Sequence, residues 1–255
     1  MGRCKEIDIK VIPAAVANPF VKKHHYSGKV VPNSCLHFGA FLEGHLHGVL
    51  QYGPSMVKRK IIGLVDGTEW NGFLELNRMA FDDYLPRNSE SYCIGATLRM
   101  IRKRAPQVKW VISFADGTQC GDGTIYRASN FILTGIKENS SCLILPNGDK
   151  INALLISAHP DAIPLEKCAK FLGIDPNKRR TVAEWKELGA QVLKGFQLRY
   201  IYFLDPKWRK RLTVPEIPFS KIDEMGAGMY KGENVTRAER HAITTKQRKE
   251  EQNAK

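Results

Sequence analysis

The sequence predicts an α/β fold in which helices flank a mixed central sheet and a helical insertion precedes the last strand. Two observations indicate this fold. Apolar patterns typical of strands and of helices alternate along the chain. In addition, residues 109–115 form a near-continuous apolar run bounded by Pro106 and Gly117. Such a run is typical of a strand that is covered on both faces, as in the centre of a sheet.

The first part of the chain predicts a strand, a helix and a hairpin. Residues 7–12 have the pattern of a strand, and residues 13–26 have that of a helix. We expect this helix to end at Gly28, because glycine is common just beyond a helix. Residues 36–42 and 46–52 are short apolar strands separated by a polar, glycine-containing turn, so they predict a hairpin.

The rest of the sheet follows the same alternation. The next helix carries Ile94, Leu98 and Ile101 on one face and ends ahead of Pro106. The buried strand comes directly after it and leads into a glycine-rich loop. In chain order these predicted elements are strand 73–81, helix 89–104, strand 109–116, a loop and helix within 121–131, and strands 132–136 and 196–204.

Three regions are expected along the chain. They are one main domain formed by residues 1–151 and 195–230, a helical insertion over 152–194, and a charged tail over 231–255. In the insertion, helices over 164–172 and 181–193 flank a basic turn, which either leans on a nucleic-acid backbone or simply caps the fold. The tail is almost free of large apolar residues, so we expect it to be disordered.

The net charge of +13 on 255 residues makes a polyanion the expected macromolecular partner, with nucleic acid first. Residues 231–255 hold seven Lys or Arg and four Glu, a net +3, which leaves +10 on the rest of the chain. The basicity therefore belongs to the predicted domain. A basic protein can also simply be basic, so charge alone does not establish this partner.

Several classes of protein are disfavoured by the sequence. No apolar run is long enough to span a bilayer, and the amino end shows no apolar signal region. The six cysteines are scattered without a Cys-x-x-Cys pair, which argues against a zinc ribbon and against a disulfide framework. We expect a cytoplasmic protein with free thiols and no membrane partner. The sequence favours no particular oligomeric state.

The loop that follows the buried strand is the strongest candidate for a functional site. Asp116 ends the strand, and ligands of open α/β sheets bind outside the carboxyl ends of strands. Gly117, Gly121 and Gly123 let backbone amides approach a ligand closely. We expect Asp122 to cap a short helix with Tyr126 in its first turn. The alternative is an aspartate that satisfies a turn and a tyrosine that fills the core.

The predicted element order, β-α-β-β-β-α-β-α-β-β, is that of the GNAT acyltransferase fold. Four segments carry a closer resemblance: His24-His25-Tyr26-Ser27-Gly28, Glu75-Leu76-Asn77-Arg78-Met79-Ala80-Phe81, Phe114-Ala115-Asp116-Gly117-Thr118 and Ile125-Tyr126-Arg127-Ala128-Ser129. With them the chain resembles the Mom family of Mu-type bacteriophage DNA-modification proteins. The similarity covers most of residues 7–145 and returns from 195 to 231.

The resemblance implies a GNAT-related enzyme, encoded by a phage or prophage and acting in the bacterial cytoplasm. It converts adenine in DNA to N6-carbamoylmethyl-adenine and so shields phage DNA from restriction endonucleases. By motif, the family's functional residues fall on His25, Arg78, Asp116 and Tyr126. Iron is a cofactor that the resemblance alone suggests.

The four residues also have interpretations of their own. We place Arg78 on the same strand face as Leu74, Leu76 and Ala80, and expect it to pair with Asp116 or with an anionic part of the donor. A buried Arg–Asp strut is the structural alternative. Asp116 can accept a hydrogen bond from the N6 amine of adenine.

Tyr126 and His25 complete the predicted catalytic set. Tyr126 can protonate a leaving group, donate a hydrogen bond to a forming oxyanion or simply stack on the base. His25 can carry a proton, bind a metal or merely cap helix carbonyls. The expected substrate-binding residues are Tyr26, Asn77, Gly117, Gly121, Gly123 and Thr124. Because a paired adenine has its amine engaged, the base must be flipped out or unpaired.

The acyl donor is where the sequence departs from ordinary GNAT enzymes. The segment 82–90 has no glycine and carries Asp82 and Asp83, which would repel the pyrophosphate of acetyl-CoA. The added methylene and primary amide have the atoms of glycine, so our hypothesis is glycyl transfer from glycyl-tRNA, with acetyl-CoA as the alternative donor. His45 and His47 alternate on one strand face and can share a metal, but no third ligand is identifiable.

Two other functions remain open at this stage. The first is a CoA-dependent N-acetyltransferase of another amine, which the missing pyrophosphate loop and the basic charge disfavour. The second is a non-catalytic nucleic-acid-binding module. That module would explain the charge but leave the loop after Asp116 without a role.

Overall fold

The structure is a computed structural model that describes residues 3–117, 121–230, 233–235 and 239. Its strands are β1 (Asp8–Val11), β2 (Leu36–Leu42), β3 (His45–Gly53), β4 (Phe73–Phe81), β5 (Trp110–Asp116), β6 (Ile132–Glu138), β7 (Cys142–Ile144), β8 (Lys150–Asn152), β9 (Gln191–Val192), β10 (Phe196–Phe203), β11 (Met229–Tyr230) and β12 (Glu233–Asn234). Its α-helices are α1 (Ala14–His24), α2 (Lys58–Ile61), α3 (Ser89–Arg104), α4 (Thr124–Ala128), α5 (Ala153–Ala158), α6 (Ile163–Phe171), α7 (Val182–Glu187) and α8 (Ser220–Glu224). Short 3-10 helices cover Arg3–Glu6, Ile62–Leu64 and Pro206–Arg211.

Seven strands form the main sheet, in the order β1-β2-β3-β4-β5-β10-β6. Neighbouring strands are antiparallel except β4 and β5, which run parallel. The predicted mixed sheet and the order of its elements are confirmed, and they are those of the GNAT fold. The described helices include none that is long and apolar enough to cross a membrane.

The parallel pair separates after three residues. Phe73, Leu74 and Glu75 of β4 pair with residues 110–112 of β5, and beyond this point the two strands are no longer paired with each other. Strand β4 nevertheless continues to Phe81, and β5 continues to Asp116. The sheet therefore opens into a wedge between the carboxyl-terminal halves of β4 and β5.

A β-bulge in β4 changes the orientation of its second half. Gln51 of β3 pairs with Arg78 and Tyr52 pairs with Leu76, so Asn77 is an extra residue without a partner on β3. A bulge of this kind shifts the alternation of side chains between the two faces.

The expectation that Arg78 shares a face with Leu76 is therefore wrong. Leu76 packs in the core cluster of α3, with Met79 against it. Ala80 instead packs in the cluster of α1, with Ala17. Arg78 therefore shares its face of β4 with Ala80, and this face is opposite to that of Leu76 and Met79.

Apolar side chains cover both faces of the sheet. The largest cluster lies under α3, where Ile94, Leu98 and Ile101 are buried against strand residues such as Leu198. The opposite face buries Trp110 and other side chains of β5 and β10. Full burial of each such side chain stabilises the folded state by about 1.5–3 kcal/mol relative to leaving it exposed. Burial on both faces agrees with the apolar run that predicted β5.

The insertion differs from the expected pair of helices. Strands β8, β7 and β9 form a small sheet in that order, with α5, α6 and α7 beside it. Its buried residues, among them Leu143, Leu165 and Trp185, form a cluster separate from the main core. The unit therefore begins near Cys142, about ten residues before the expected boundary, and contains strands.

One predicted helix of the insertion, over residues 181–193, is wrong in its second half. Helix α7 ends at Glu187, and Gly189 follows with a φ of 104°. Glycine in this conformation terminates a helix, because it can adopt the left-handed region at little cost. The chain then turns into β9, which pairs with β7.

The expected disordered tail lies mostly outside the described residues. Within the described part, Glu233 and Asn234 form β12 and pair with β11. The remaining tail positions, apart from 235 and 239, are not described.

Candidate active site

A cavity of about 460 Å³ occupies the wedge between β4 and β5, and we call it the wedge cavity. Its lining includes all four predicted catalytic residues and five of the six predicted substrate-binding residues. The residues that line it are His25, Tyr26, Leu76, Asn77, Arg78, Met79, Glu90, Phe114, Ala115, Asp116, Gly121, Asp122, Gly123, Thr124, Ile125 and Tyr126.

Gly117 is the predicted substrate-binding residue that is missing from this lining. Its backbone N–H donates to the carbonyl of Phe196 at 2.7 Å. This bond ties the end of β5 to the start of β10, so Gly117 contributes to the sheet. Residues 118–120, which continue the glycine-rich loop, lie outside the described residues.

Asp116 reaches the cavity because β5 ends there. It pairs with Gln197 of β10 on one side, while the wedge opens on its other side. Its side chain is half-buried. Asp116 therefore lines the wedge cavity at the point where β5 ends.

Arg78 is held by backbone carbonyls. Its Nε donates to the carbonyl of Lys29 at 3.0 Å, and its Nη1 donates to the carbonyl of Asn77 at 2.7 Å. The ion pairs of the described residues do not include Arg78, so the expected bridge to Asp116 is not observed. Two carbonyls fix the guanidinium, whose positive charge also acts on the nearby Glu75 carboxyl and lowers its pKa, and Arg78 lines the wall of the wedge cavity.

His25 follows α1, and its backbone N–H caps the helix by donating to the carbonyl of Val21 at 2.9 Å. Its Nδ1 accepts the backbone N–H of Ser27 at 3.1 Å and lies 2.8 Å from the Ser27 hydroxyl. Because Nδ1 acts as an acceptor, we assign the proton of the neutral ring to Nε2.

Burial, and secondly the charge of Arg78, lowers the pKa of His25 from 6.5 to about 4. The imidazole is therefore neutral near pH 7. In this state it offers an N–H donor at Nε2, and it is not an acid catalyst in the imidazolium form. Tyr26, beside it, is 53% exposed and its ring centroid lies 4.2 Å from that of His25, so an aromatic face stands at the cavity mouth.

The segment before α4 is built around Gly123. Its φ is 75°, and a Cβ atom at this position would lie 2.5 Å from Cε2 of Tyr200. Gly123 rather than Asp122 is the N-cap residue, so the predicted capping role of Asp122 is wrong. Asp122 is instead almost fully buried and accepts from Arg127 Nη2 at 2.7 Å.

This buried ion pair anchors α4. Thr124 adds a hydrogen bond from its hydroxyl to Asp122 at 2.8 Å, and the Tyr200 hydroxyl donates to the Asp122 carbonyl. Tyr126, in the first turn, is 8% exposed, and its ring lies 5.2 Å from that of Tyr200. The cavity wall carrying Tyr126 is thus set by packing and by a charge pair together.

A polar cluster lies behind the bulge and was not anticipated. Asn77 accepts from the Ser34 hydroxyl at 3.1 Å, while no acceptor meets its buried Nδ2 in hydrogen-bonding geometry. Burial raises the pKa of Glu75, although Ser55 and the nearby Asn77 amide act in the opposite direction. The strand pattern gave no sign of this cluster, because the bulge that creates it has no sequence signature.

The region expected to meet a pyrophosphate is acidic, and its side chains contact one another. Asp82 pairs with His47 at 2.9 Å, and Tyr84 stacks on His47 and donates to Glu43 at 2.8 Å. Glu90, in the first turn of α3, lines the wedge cavity. A carboxylate at this helix end opposes a pyrophosphate, and sequence analysis had not singled out Glu90.

The described residues do not offer a metal site. His45 and His47 have ring centroids 6.4 Å apart, and His47 is engaged with Asp82. Within the described ranges, no group of three or more His, Cys, Asp or Glu side chains converges as metal ligands. The iron that the family resemblance suggests therefore finds no ligand set among these residues.

Comparison with known proteins places the chain in a family. The model of the Mom protein family matches residues 6–221. The chain is 36% identical, over 211 residues, to "Methylcarbamoylase mom" of Escherichia phage Mu, covering 82% of this chain and 80% of that protein.

Among solved structures the similarity is distant. A spermidine/spermine N-acetyltransferase from Vibrio cholerae aligns over 82% of this chain and 99% of its own, with 6% identity and a TM-score of 0.42. The ribosomal-protein-S18-alanine N-acetyltransferase from Escherichia coli aligns over 78% and 94%, with 8% identity and a TM-score of 0.41. The family match and the phage relative show instead that the chain belongs to the Mom protein family.

Proposed function

We propose that this chain is a DNA-modifying transferase that acylates the exocyclic amine of adenine and thereby yields N6-carbamoylmethyl-adenine. Membership of the Mom family supports this, since the phage Mu relative is named a methylcarbamoylase. The observation that carries the proposal is the convergence of His25, Arg78, Asp116 and Tyr126 on the wedge cavity. A modified adenine would protect phage DNA from restriction endonucleases in the host.

Asp116 is the residue that we propose orients the nucleophile. The N6 amine of adenine is weakly nucleophilic, because its lone pair is delocalised into the purine ring. A carboxylate that accepts one N6–H keeps the lone pair directed at the acyl carbon and can take the proton as the bond forms. Its position at the end of β5, open to the cavity, supports this role.

Arg78 and His25 are proposed to stabilise the oxyanion that forms when N6 attacks. The Arg78 guanidinium is fixed by two carbonyls and keeps its charge. His25 is neutral and offers an N–H donor. Donors that are already oriented cost no reorganisation during the reaction, and removing one typically costs about 10²–10³ in rate. Tyr126 is proposed to protonate the leaving oxygen.

The donor that we propose is the glycyl ester of tRNA. An acidic residue, Glu90, lines the cavity at the amino end of α3, where a CoA pyrophosphate would be expected. A tRNA ester brings no pyrophosphate to that position. Its phosphates match the basic character of the chain instead.

The proposed reaction balances without an oxidant. N6 attacks the ester carbonyl, the terminal ribose hydroxyl leaves with a proton, and an N6-glycyl amide forms. The glycine amine then attacks C6 through a five-membered ring, and the bond from C6 to the old N6 breaks. The old N6 becomes the primary amide, and the glycine nitrogen becomes the new N6.

The amine of a paired adenine is not accessible, so the base must leave the stack. Tyr26, exposed at the cavity mouth, is proposed to stack on a base during this step. Base–aromatic stacking is worth about 1–3 kcal/mol and is sequence-tolerant.

Mass spectrometry of nucleosides from plasmid DNA of expressing cells tests the proposed function. The intact protein should yield an adenine nucleoside with the added mass of a carbamoylmethyl group. Asp116→Asn should remove it at equal expression and melting temperature. Unmodified adenine with well-expressed intact protein would contradict the proposal, and calorimetry with acetyl-CoA would then examine the N-acetyltransferase alternative.

Isotope labelling tests the donor separately. Purified protein, DNA and glycyl-tRNA carrying ¹³C and ¹⁵N glycine should place both carbons and the nitrogen in the modified base, with the label nitrogen at N6. Incorporation from acetyl-CoA but not from glycyl-tRNA would refute the glycyl route and leave DNA modification standing.

A further inference from the structure

A second cavity, of about 230 Å³, lies on the other side of Asp116, and we call it the insertion cavity. It is formed where the insertion joins the main sheet. Its lining consists of Asp116, Lys137, Glu138, Asn139, Ser140, Ser141, Cys142, Asn152, Phe196 and Gln197. We propose that this cavity receives the target adenine and that the insertion supplies one wall of the base-binding site. This inference rests on the proposed function.

The position of Asp116 is the first argument. Among the described residues, Asp116 is the one that lines both cavities. A transfer reaction must bring its two substrates together at one point, and the carboxylate proposed to bind N6 must stand at that point. The base and the acyl group then occupy one cavity each.

The chemistry of the walls decides which cavity holds which substrate. The wedge cavity carries the Arg78 charge and the His25 donor, which suit a carbonyl oxygen that becomes negative. The insertion cavity is lined by two residues with amide side chains, Asn152 and Gln197, and by Phe196, which also packs against the main core. Amide side chains read the edge of adenine by hydrogen bonding.

The size of the insertion cavity agrees with a single base. Pockets for drug-sized ligands span about 300–1,000 Å³. The insertion cavity lies below that range, whereas the wedge cavity lies within it. Lys137 lines the insertion cavity and is exposed, so a cation is available for the phosphate of a flipped nucleotide.

The insertion is held firmly enough to form a wall. Asn139 Nδ2 donates to the carbonyls of Cys142 at 3.2 Å and of Leu193 at 2.6 Å. Its Oδ1 accepts the backbone N–H groups of Ser141 at 3.1 Å and Cys142 at 3.0 Å. One side chain thus ties the entry of the insertion to its exit.

Cys142 and Asp116 line the same cavity. Burial raises the pKa of the Cys142 thiol, and the negative charge of Asp116 raises it further. Cys142 pairs with Asn152 across β7 and β8, so both side chains belong to the same edge of the insertion. A thiol at this position is a convenient chemical probe of the cavity.

Disulfide trapping tests the location of the base. The probe is a DNA duplex in which one adenine carries a short thiol tether on N6, used with full-length protein in which Cys35→Ser and Cys120→Ser remove two other thiols. We expect a cross-link that peptide mass spectrometry maps to Cys142 and that Cys142→Ser abolishes. A small disulfide reagent must label Cys142 under the same conditions, because its raised pKa slows exchange. A duplex that then binds but forms no cross-link, or a cross-link that persists in Cys142→Ser, would overturn the inference.

Substitution of the amides gives a second test. Gln197→Ala and Asn152→Ala should each reduce modification about tenfold to a hundredfold, mainly through a higher KM for DNA, because one bidentate base contact is lost. Lys150→Ala, on the exposed start of β8, is the matched control and should modify DNA normally. Melting temperatures identify any variant that has lost its fold.

The outcomes separate this inference from the proposed function. If the intact protein modifies adenine but both amide variants do so at the normal rate and KM, the base does not bind in the insertion cavity. If the intact protein makes no modified adenine, the proposed function itself fails.

Discussion

A Cβ atom on Gly123 would lie 2.5 Å from Cε2 of Tyr200, and Tyr200 in turn donates to the Asp122 carbonyl. The sheet and the start of α4 therefore meet at a point where only hydrogen fits. Gly123 also has a φ of 75°, a region in which other residues are strained. The wall that carries Tyr126 depends on this contact.

Gly123→Ala should consequently destabilise the protein. The left-handed conformation costs alanine about 1–2 kcal/mol, and overpacking adds about 1–3 kcal/mol. Chemical denaturation measures the sum. Gly148→Ala is the control, since Gly148 has a φ of 86° but nothing within 4 Å of its Cβ position. Equal losses for the two variants would show that the contact with Tyr200 does not matter.

The pH dependence of stability should report on His25. Its pKa falls from 6.5 to about 4 on folding, so between these values the unfolded chain binds a proton that the folded protein does not. The contribution of this shift to the free energy of unfolding is then fully present above about pH 6.5 and is lost as the pH falls toward 4. Below that range the contribution changes no further.

Urea unfolding at pH 4.5 and pH 7.5 checks this expectation. The intact protein should lose more stability between the two pH values than His25→Gln, which has no imidazole to titrate. Parallel losses in both proteins would mean that His25 titrates normally in the folded state.

Arg78 should influence both the reaction and the titration of His25. In Arg78→Gln we expect modification to fall by about 10²-fold or more, as for loss of an oxyanion donor. The pKa of His25 should rise but stay below 6.5, because burial is its larger cause and Arg78 the second. NMR titration of the ring protons measures it. An unchanged His25 pKa would place the guanidinium farther from the ring than the structure does.

DNA binding should depend on cations near the mouth of the wedge cavity. Lys22 and Lys23 are exposed and precede the His25 and Tyr26 segment, so Lys22→Gln with Lys23→Gln should weaken binding. Each lost phosphate contact reduces the slope of log K against log salt by about 0.9. Arg59→Gln with Lys60→Gln removes equal charge from the exposed surface of α2. Fluorescence anisotropy across salt concentrations should show the larger change for the first pair.

The strands of the main sheet were predictable because their patterns are local. The apolar run of β5 requires cover on both faces, and its carboxyl end fixes where Asp116 emerges. The family motifs then indicated His25, Arg78 and Tyr126, and the structure brings these residues to one cavity. Their roles in catalysis stay predictions.

Other features were not predictable from the pattern. The strands of the insertion are two or three residues long, too short for a period to appear. One hydrogen bond of Asn139 joins it to Leu193, 54 positions away. Glu90 enters the cavity wall only because α3 begins beside the separated strands.

The extra residue in β4 lets one strand both fill the core under α3 and place a cation at the wedge cavity. An uninterrupted strand would have turned Arg78 toward the core of α3 and Met79 away from it. Because Asn77 forms a bulge, Leu76 before it and Met79 after it both pack in that core. The Arg78 guanidinium lies on the other face, where it donates to the carbonyl of Lys29. If Asn77 were instead paired in a regular ladder, the last four residues of β4 would exchange faces, which would place a cation in the core under α3 and leave the wedge cavity without one.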